Sequence, residues 1–91
     1  RQTMDSMDAE IVDLIARRME LSGKIGAVKL ANNMTVYQPA RWREIVATRG
    51  ERGEMQGLTR EFVISVYEKI HQESIRIQLG DAPAEHIDTE A

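Results

Sequence analysis

Arg18 interrupts a row of apolar residues that recurs at helical spacing. Counted from Met4 in alternating steps of three and four, the row has eight positions, and we call it the first-helix seam: Met4, Met7, Ile11, Leu14, Arg18, Leu21, Ile25 and Val28. Lys29 follows Arg18 by eleven residues, so at about 100° per residue both side chains project from nearly the same side of a helix. Because a buried cation without a counterion is costly, these residues predict a site that an anionic ligand completes.

Three further polar residues lie on the predicted inner faces of later helical segments. Ser74 and Gln78 are four residues apart, and Arg41 precedes Ile45 by one helical turn. A helical bundle that turns these faces inward would gather them with both cations of the first segment in one pocket. The guanidinium fork of arginine suits a carboxylate held at two points, so the pocket favours a carboxylate ligand.

Each of these polar residues also has a purely structural interpretation. Arg18 would mark the register of helix pairing, as single polar residues do in coiled coils. Lys29 would extend to water from a helix end, and Ser74 and Gln78 would be edge positions that face solvent. The residues alone leave this choice open, although their combined spacing favours a pocket.

The first element that must position these side chains is a helix over residues 2–30, about 40 Å long. A helix of this length needs partners along its whole apolar row, which predicts a bundle or association between chains. Gly23 and Gly26 lie inside it. They indicate either a break or a close approach of another backbone, and the uninterrupted seam favours the close approach.

The remaining pattern predicts a short second helix and a long third helix. Pro39 fits the first turn of the second helix, Gly50 is expected to end it, and residues 50–57 are expected to form a loop. Thr59 is the predicted N-cap of a third helix that runs to about Leu79. The expected inner face of that helix comprises Val63, Val66, Tyr67, Ile70, Ser74 and Ile77. No strand pattern of period two occurs, so the fold class is all-α.

The length of 91 residues limits the chain to one domain, and the C-terminal end of the chain is acidic. Residues 80–91 hold four acids and no Lys or Arg, and we expect a flexible tail there. The other 79 residues carry 12 basic and 11 acidic side chains, with no basic block typical of nucleic-acid binding. The chain has no cysteine, no apolar run that would span a membrane and no secretory signal, so we expect a cytoplasmic protein. His71 and His86 lack the neighbours of a metal site, and no metal is predicted.

The ordered set of polar residues resembles the all-helical class of chorismate mutases over residues 1–79. That class has an N-terminal arginine, an arginine late in the first helix, Gly-x-x-Lys at its end, an arginine at the start of the second helix, and Ser-x-x-x-Gln in the third. The matching residues here are Arg1, Arg18, "GAVK" with Lys29, "QPARW" with Arg41, and "SIRIQ" with Ser74 and Gln78. The resemblance implies a chain of long, short and long helices that forms an intertwined homodimer.

The resemblance also implies a reaction, the intramolecular rearrangement of chorismate to prephenate on the route to phenylalanine and tyrosine. This reaction needs no cofactor, metal or nucleophile, but it needs a flexible dianion held in a compact shape. It also needs donors at the ether oxygen, where negative charge grows. Lys29 and Gln78 are the implied donors, and Arg1 is expected to enter the site of the other protomer. The implied substrate-binding residues are Arg1, Arg18, Arg41, Gln38 and Ser74.

Two positions depart from the class and keep alternatives open. Gln38 stands where an acid is common and Trp42 where a glutamate is common, both on the side of the substrate's ring hydroxyl. An isochorismate–pyruvate lyase and a non-catalytic helical dimerisation or regulatory domain are therefore alternatives. Arg1 rather than methionine begins the chain, so we expect a mutase domain of a bifunctional enzyme. Members of the class are often fused to prephenate dehydratase, to prephenate dehydrogenase or to 3-deoxy-D-arabino-heptulosonate 7-phosphate synthase, and the synthase is the expected partner here.

Overall fold

A computed structural model describes residues 1–80, which form three α-helices. Helix α1 spans Gln2–Ala31, α2 spans Pro39–Met55 and α3 spans Arg60–Gln78. The all-α fold and the order of long, short and long helices are confirmed. The predicted acidic tail lies outside the described residues except for Gly80.

Helix α1 is continuous through both of its internal glycines. Ser22 and Gly26 are its buried residues, and they lie where α1 crosses α3. A Cβ atom on Gly26 would stand 2.6 Å from the Cα atom of Gln78. Gly26 therefore allows two backbones to approach closely, and the predicted close approach is confirmed in place of a break.

Helix α2 is longer than the sequence predicted. It continues past Gly50 to Met55, so the loop expected over residues 50–57 was wrong. Gly50 and Gly53 are buried where α2 packs against the first turn of α3, and a Cβ on Gly50 would lie 2.7 Å from Nη1 of Arg60. These glycines serve close helix packing, and the chain turns later, at Gly57, where φ is +84°.

Helix α3 begins at the predicted N-cap. The Thr59 hydroxyl accepts a hydrogen bond from the backbone N–H of Phe62 at 3.3 Å, which satisfies a donor of the first turn. On the inner face, Val63 and Ser74 are buried, and Tyr67, Ile70 and Ile77 are half-buried. Val66 departs from the prediction, because 37% of it is exposed.

The apolar members of the first-helix seam are not covered by α2 or α3. Ile11, Leu14 and Leu21 are 53%, 58% and 57% exposed, and the other four are exposed as well. The face of α1 that contacts α3 is the neighbouring one, with Ser22 and Gly26. The expectation of a partner along the seam therefore stays a prediction. Within residues 1–80, no helix has the length and apolar content needed to cross a bilayer.

Candidate active site

A cavity of about 200 Å³ opens between the three helices. Six of the seven predicted site residues line it: Arg18, Lys29, Gln38, Arg41, Ser74 and Gln78. Helix α1 contributes the first two, the start of α2 the next two, and α3 the last two. The apolar part of the lining includes Leu21 and Ile45, and Ile45 is only 1% exposed. The five residues grouped by helical spacing therefore share one cavity, and Gln38, which the resemblance implied, lines it as well.

Positive charge dominates this cavity. Its lining, drawn from residues 1–80, contains four cations and no carboxylate: Arg18, Lys29, Arg41 and Arg49. Arg41 pairs with Glu44 on the exposed side of α2. No carboxylate of the described residues pairs with Arg18 or Lys29. An anion in the cavity would therefore meet several unneutralised donors.

Arg18 is held partly away from water beside an aromatic ring. Its Cζ atom lies 6.0 Å from the ring centroid of Tyr67, a distance at the edge of a cation–π contact. Burial lowers the pKa of Arg18, the neighbouring Arg49 and Arg41 lower it further, and Tyr67 acts in the opposite direction. Since a guanidinium stays protonated in proteins, the consequence is a charge with reduced hydration that favours an anionic partner.

A chain of hydrogen bonds fixes the polar groups deepest in the cavity. The Lys29 ammonium donates to the Val36 carbonyl at 3.2 Å and to Oε1 of Gln78 at 3.0 Å. Nε2 of Gln78 donates to the Ser74 hydroxyl at 3.0 Å, and the Ser74 and Ser22 hydroxyls are 2.7 Å apart. Because an ammonium only donates, it holds the oxygen of the Gln78 amide towards α1. One N–H of Gln78 and one of Lys29 remain available for a ligand.

Ser22 is a site residue that the sequence analysis missed. It is buried and bonds directly to Ser74, although it does not interrupt any apolar pattern. The feature of the sequence that could have indicated Ser22 is its spacing. It precedes Gly26 by four residues and Lys29 by seven, which places the three on one face of α1. Arg49 was also missed, and it lines the cavity from α2, about one helical turn after Ile45.

His71, for which the sequence analysis considered only a metal site, also lines the cavity. Its ring lies against Trp42, with centroids 4.9 Å apart and planes 35° apart, and edge-on to Tyr37 at 5.9 Å. Burial lowers the pKa of His71, and repulsion from the cavity's cations lowers it further. Its spacing, three residues before Ser74 and seven before Gln78, indicated the same face of α3.

Arg1 is the predicted site residue that does not reach this cavity. It is exposed at the start of α1, seventeen residues before Arg18. At 1.5 Å per residue the two are about 25 Å apart along the helix axis. Within one chain, Arg1 and the cavity are therefore separate.

Comparison with known proteins decides the family. A family model described as chorismate mutase type II matches residues 1–79, which include every residue of the cavity. The chain belongs to the chorismate mutase type II family. Membership confirms the resemblance given by the spacing of the polar residues, and it extends over all three helices.

The relatives of this chorismate mutase domain differ in how much of their own length it covers. It is 31% identical over 74 residues to the T-protein of Enterobacter agglomerans and 30% identical over 74 residues to that of Haemophilus influenzae. These alignments cover 81% of the chain but only 20% of each T-protein. It is 24% identical over 78 residues to the 4-amino-4-deoxychorismate mutase of Streptomyces venezuelae, covering 86% of the chain and 76% of that enzyme. No solved structure gives a significant match.

Proposed function

We propose that this domain catalyses the rearrangement of chorismate to prephenate. The observation that carries the proposal is a cavity with four cations and no carboxylate around a fixed pair of donors, Lys29 and Gln78. Chorismate is a dianion with an ether oxygen, and a charged, donor-rich cavity matches both features. Holding both carboxylates restricts the substrate to a compact, reactive shape. The entropy lost in reaching that shape is a large part of the barrier in an intramolecular reaction, and binding supplies it in advance.

Lys29 and Gln78 are proposed to donate hydrogen bonds to the ether oxygen of the substrate. As the C–O bond breaks, negative charge grows on the ether oxygen, and fixed N–H groups stabilise it more than they stabilise the substrate. The hydrogen bond from Lys29 to Gln78 fixes both groups before the substrate binds. Arg18 and Arg41 are proposed to hold the carboxylates, Ser74 to contact one of them, and Gln38 to bond at the ring side.

The experiment offers the purified chain chorismate and isochorismate in separate assays. Formation of prephenate supports a mutase, whereas release of pyruvate from isochorismate would show a lyase. Lys29→Ala should lower kcat/KM about a hundred- to a thousandfold, as for other lost transition-state donors. The matched control is Lys24→Ala, because Lys24 is an exposed lysine of the same helix whose ammonium pairs with Glu20 at 3.8 Å, outside the cavity. Failure to bind or convert either dianion would favour a non-catalytic helical domain.

We also propose that the domain works as an intertwined homodimer in which a second copy covers the first-helix seam. Two features support this partner. The seam is exposed along α1, and Arg1 lies too far from its own cavity to serve it. Two α1 helices that pair along the seam would bury both apolar rows and carry each Arg1 towards the other protomer. Sedimentation that gave a folded, active monomer would contradict this assembly.

Mixing two inactive variants tests the shared site directly. Arg1→Ala and Arg18→Ala should each lose most activity with the helical circular dichroism retained. A mixed dimer has one site with both arginines and one with neither. Equal mixing with full exchange makes half of the dimers mixed, so roughly a quarter of the wild-type activity should return. Mixed dimers that form without any recovery would exclude Arg1 from the partner's site.

Fusion to or association with 3-deoxy-D-arabino-heptulosonate 7-phosphate synthase stays a proposal. The chain covers only 20% of the T-proteins that it matches, which supports a role as one domain of a longer enzyme. The names of the relatives do not mention this synthase. Reading the parent open reading frame on both sides of residues 1–91 tests the proposal, and a frame without the synthase would leave only association to be examined by co-purification.

A further inference from the structure

His71 differs from the other uncharged polar groups of the cavity. Ser22, Ser74 and Gln78 are bonded to one another, and the amide of Gln38 donates to the Thr35 carbonyl at 3.3 Å. Neither ring nitrogen of His71 has a hydrogen-bond partner among residues 1–80, although the residue lines the cavity. Its hydrogen-bonding groups are therefore available to a ligand.

The surroundings of His71 favour the neutral imidazole. Arg18 and Lys29 face it from α1, and Arg41 and Arg49 line the same cavity from α2. Burial and repulsion from Arg18, Arg41 and Lys29 lower its pKa. A neutral ring carries one N–H donor and one nitrogen that accepts. The four charged groups of the cavity can only donate, so the side-chain acceptors that no residue of 1–80 occupies are the imidazole of His71 and Oε1 of Gln38.

Two aromatic side chains hold the ring in place. Trp42 packs against it with ring centroids 4.9 Å apart and planes tilted by 35°, and Tyr37 meets it edge-on at 5.9 Å. Their contacts restrict the rotation of the imidazole and so limit the directions in which its two ring nitrogens can form hydrogen bonds. Because His71 precedes Ser74 by one turn of α3, it lies beside the polar chain that the proposed mechanism uses and not within it.

We propose that His71 is a specificity-determining residue that accepts a hydrogen bond from the ring hydroxyl of the substrate. The inference rests on the proposed function, because it assigns one part of the dianion to one part of that cavity. Carboxylates and the ether oxygen are acceptors and are matched by the four cations and by Gln78. The hydroxyl is the substrate's donor, and the neutral imidazole is an acceptor that no residue of the described chain occupies.

The test is a comparison of two substrates in three proteins. Wild type, His71→Leu and His71→Gln are assayed with chorismate and with the analogue in which hydrogen replaces the ring hydroxyl. Wild type should prefer chorismate in kcat/KM by about two- to tenfold, the range for a hydrogen bond between neutral groups. His71→Leu should lose this preference by slowing chorismate alone, and His71→Gln should restore part of it, since an amide oxygen also accepts.

The analogue serves as the internal control for folding. A variant with a damaged fold would turn over both substrates more slowly, whereas a lost hydroxyl contact affects only chorismate. An unchanged preference in His71→Leu with wild-type turnover intact would overturn the assignment of His71 alone. A wild-type protein that converts neither substrate would overturn the proposed function, and this inference with it.

Discussion

Gly26→Ala should separate α1 from α3 at the place where Lys29 meets Gln78. The added Cβ would lie 2.6 Å from the Cα, 2.8 Å from the carbonyl oxygen and 2.9 Å from the Cβ of Gln78. These are backbone atoms or atoms next to the backbone, so no rotamer change relieves the contact. Carbon atoms prefer about 3.5–4.0 Å, and the helices must therefore move apart by about 1 Å.

This displacement should affect both stability and rate. Overpacking costs about 1–3 kcal/mol, which outweighs the gain of about 1 kcal/mol from replacing a helical glycine by alanine. A misplacement of about 1 Å in a catalytic group is expected to lower the rate on the order of a hundredfold. The Lys29–Gln78 hydrogen bond of 3.0 Å would be stretched by the same movement.

Gly23→Ala is the matched control on the same helix. Its Cβ would meet only Cγ2 of Ile77 at 3.6 Å, an ordinary contact, so this variant should be as stable as wild type or up to about 1 kcal/mol more stable. We would measure thermal unfolding by circular dichroism and kcat/KM with chorismate for both variants. A Gly26→Ala protein with wild-type stability and rate would refute the close approach of the two backbones.

Three other predictions address packing, mechanism and pH. Gly53→Ala should lower the free energy of unfolding in denaturant titrations, because the new Cβ would collide with the stiff, β-branched Val63; unchanged stability would contradict this contact. Gln78→Glu should be slow at neutral pH and recover activity as pH falls, since a carboxyl donates only when protonated; a flat profile at the wild-type rate between about pH 4.5 and 8 would remove Gln78 as the ether-oxygen donor. The pKa of His71 is lowered by burial and nearby cations, so as pH falls below about 6.5 the unfolded chain binds the proton first and stability declines. His71→Leu should show a smaller decline between pH 7.5 and 5.5, and an equal decline would contradict the lowered pKa.

Helical spacing predicted five of the polar residues that line the cavity, Arg18, Lys29, Arg41, Ser74 and Gln78, but not Ser22, Arg49 or His71. Residues such as Ser74 and Gln78 lie on one face of any helix that contains both, whatever packs against it. Lys29 and Arg18 were placed together for the same reason. The all-α fold class and an anion-binding pocket were therefore predictable from periodicity and from a cation in an apolar row, whereas the family came from the resemblance.

The errors arose where one residue type has two physical uses. Gly50 was expected to end α2, but a helical glycine also permits close packing, and only the position of α3 distinguishes the two. His71 was examined as a metal ligand and not as a neutral hydrogen-bonding group, since its aromatic neighbours come from another helix and a loop. The period of the first-helix seam likewise does not tell whether α3 or a second chain covers it.

The packing of α1 has a thermodynamic consequence. Within residues 1–80, the buried apolar side chains are Val36, Ile45 and Val63, a small core, while the apolar row of α1 is left in water. If a second copy covers that row, most of the hydrophobic stabilisation belongs to the complex and little to either chain. Folding and association then form one equilibrium, and the melting temperature rises with protein concentration. Dilution would unfold the protomers and dismantle their cavities in the same step.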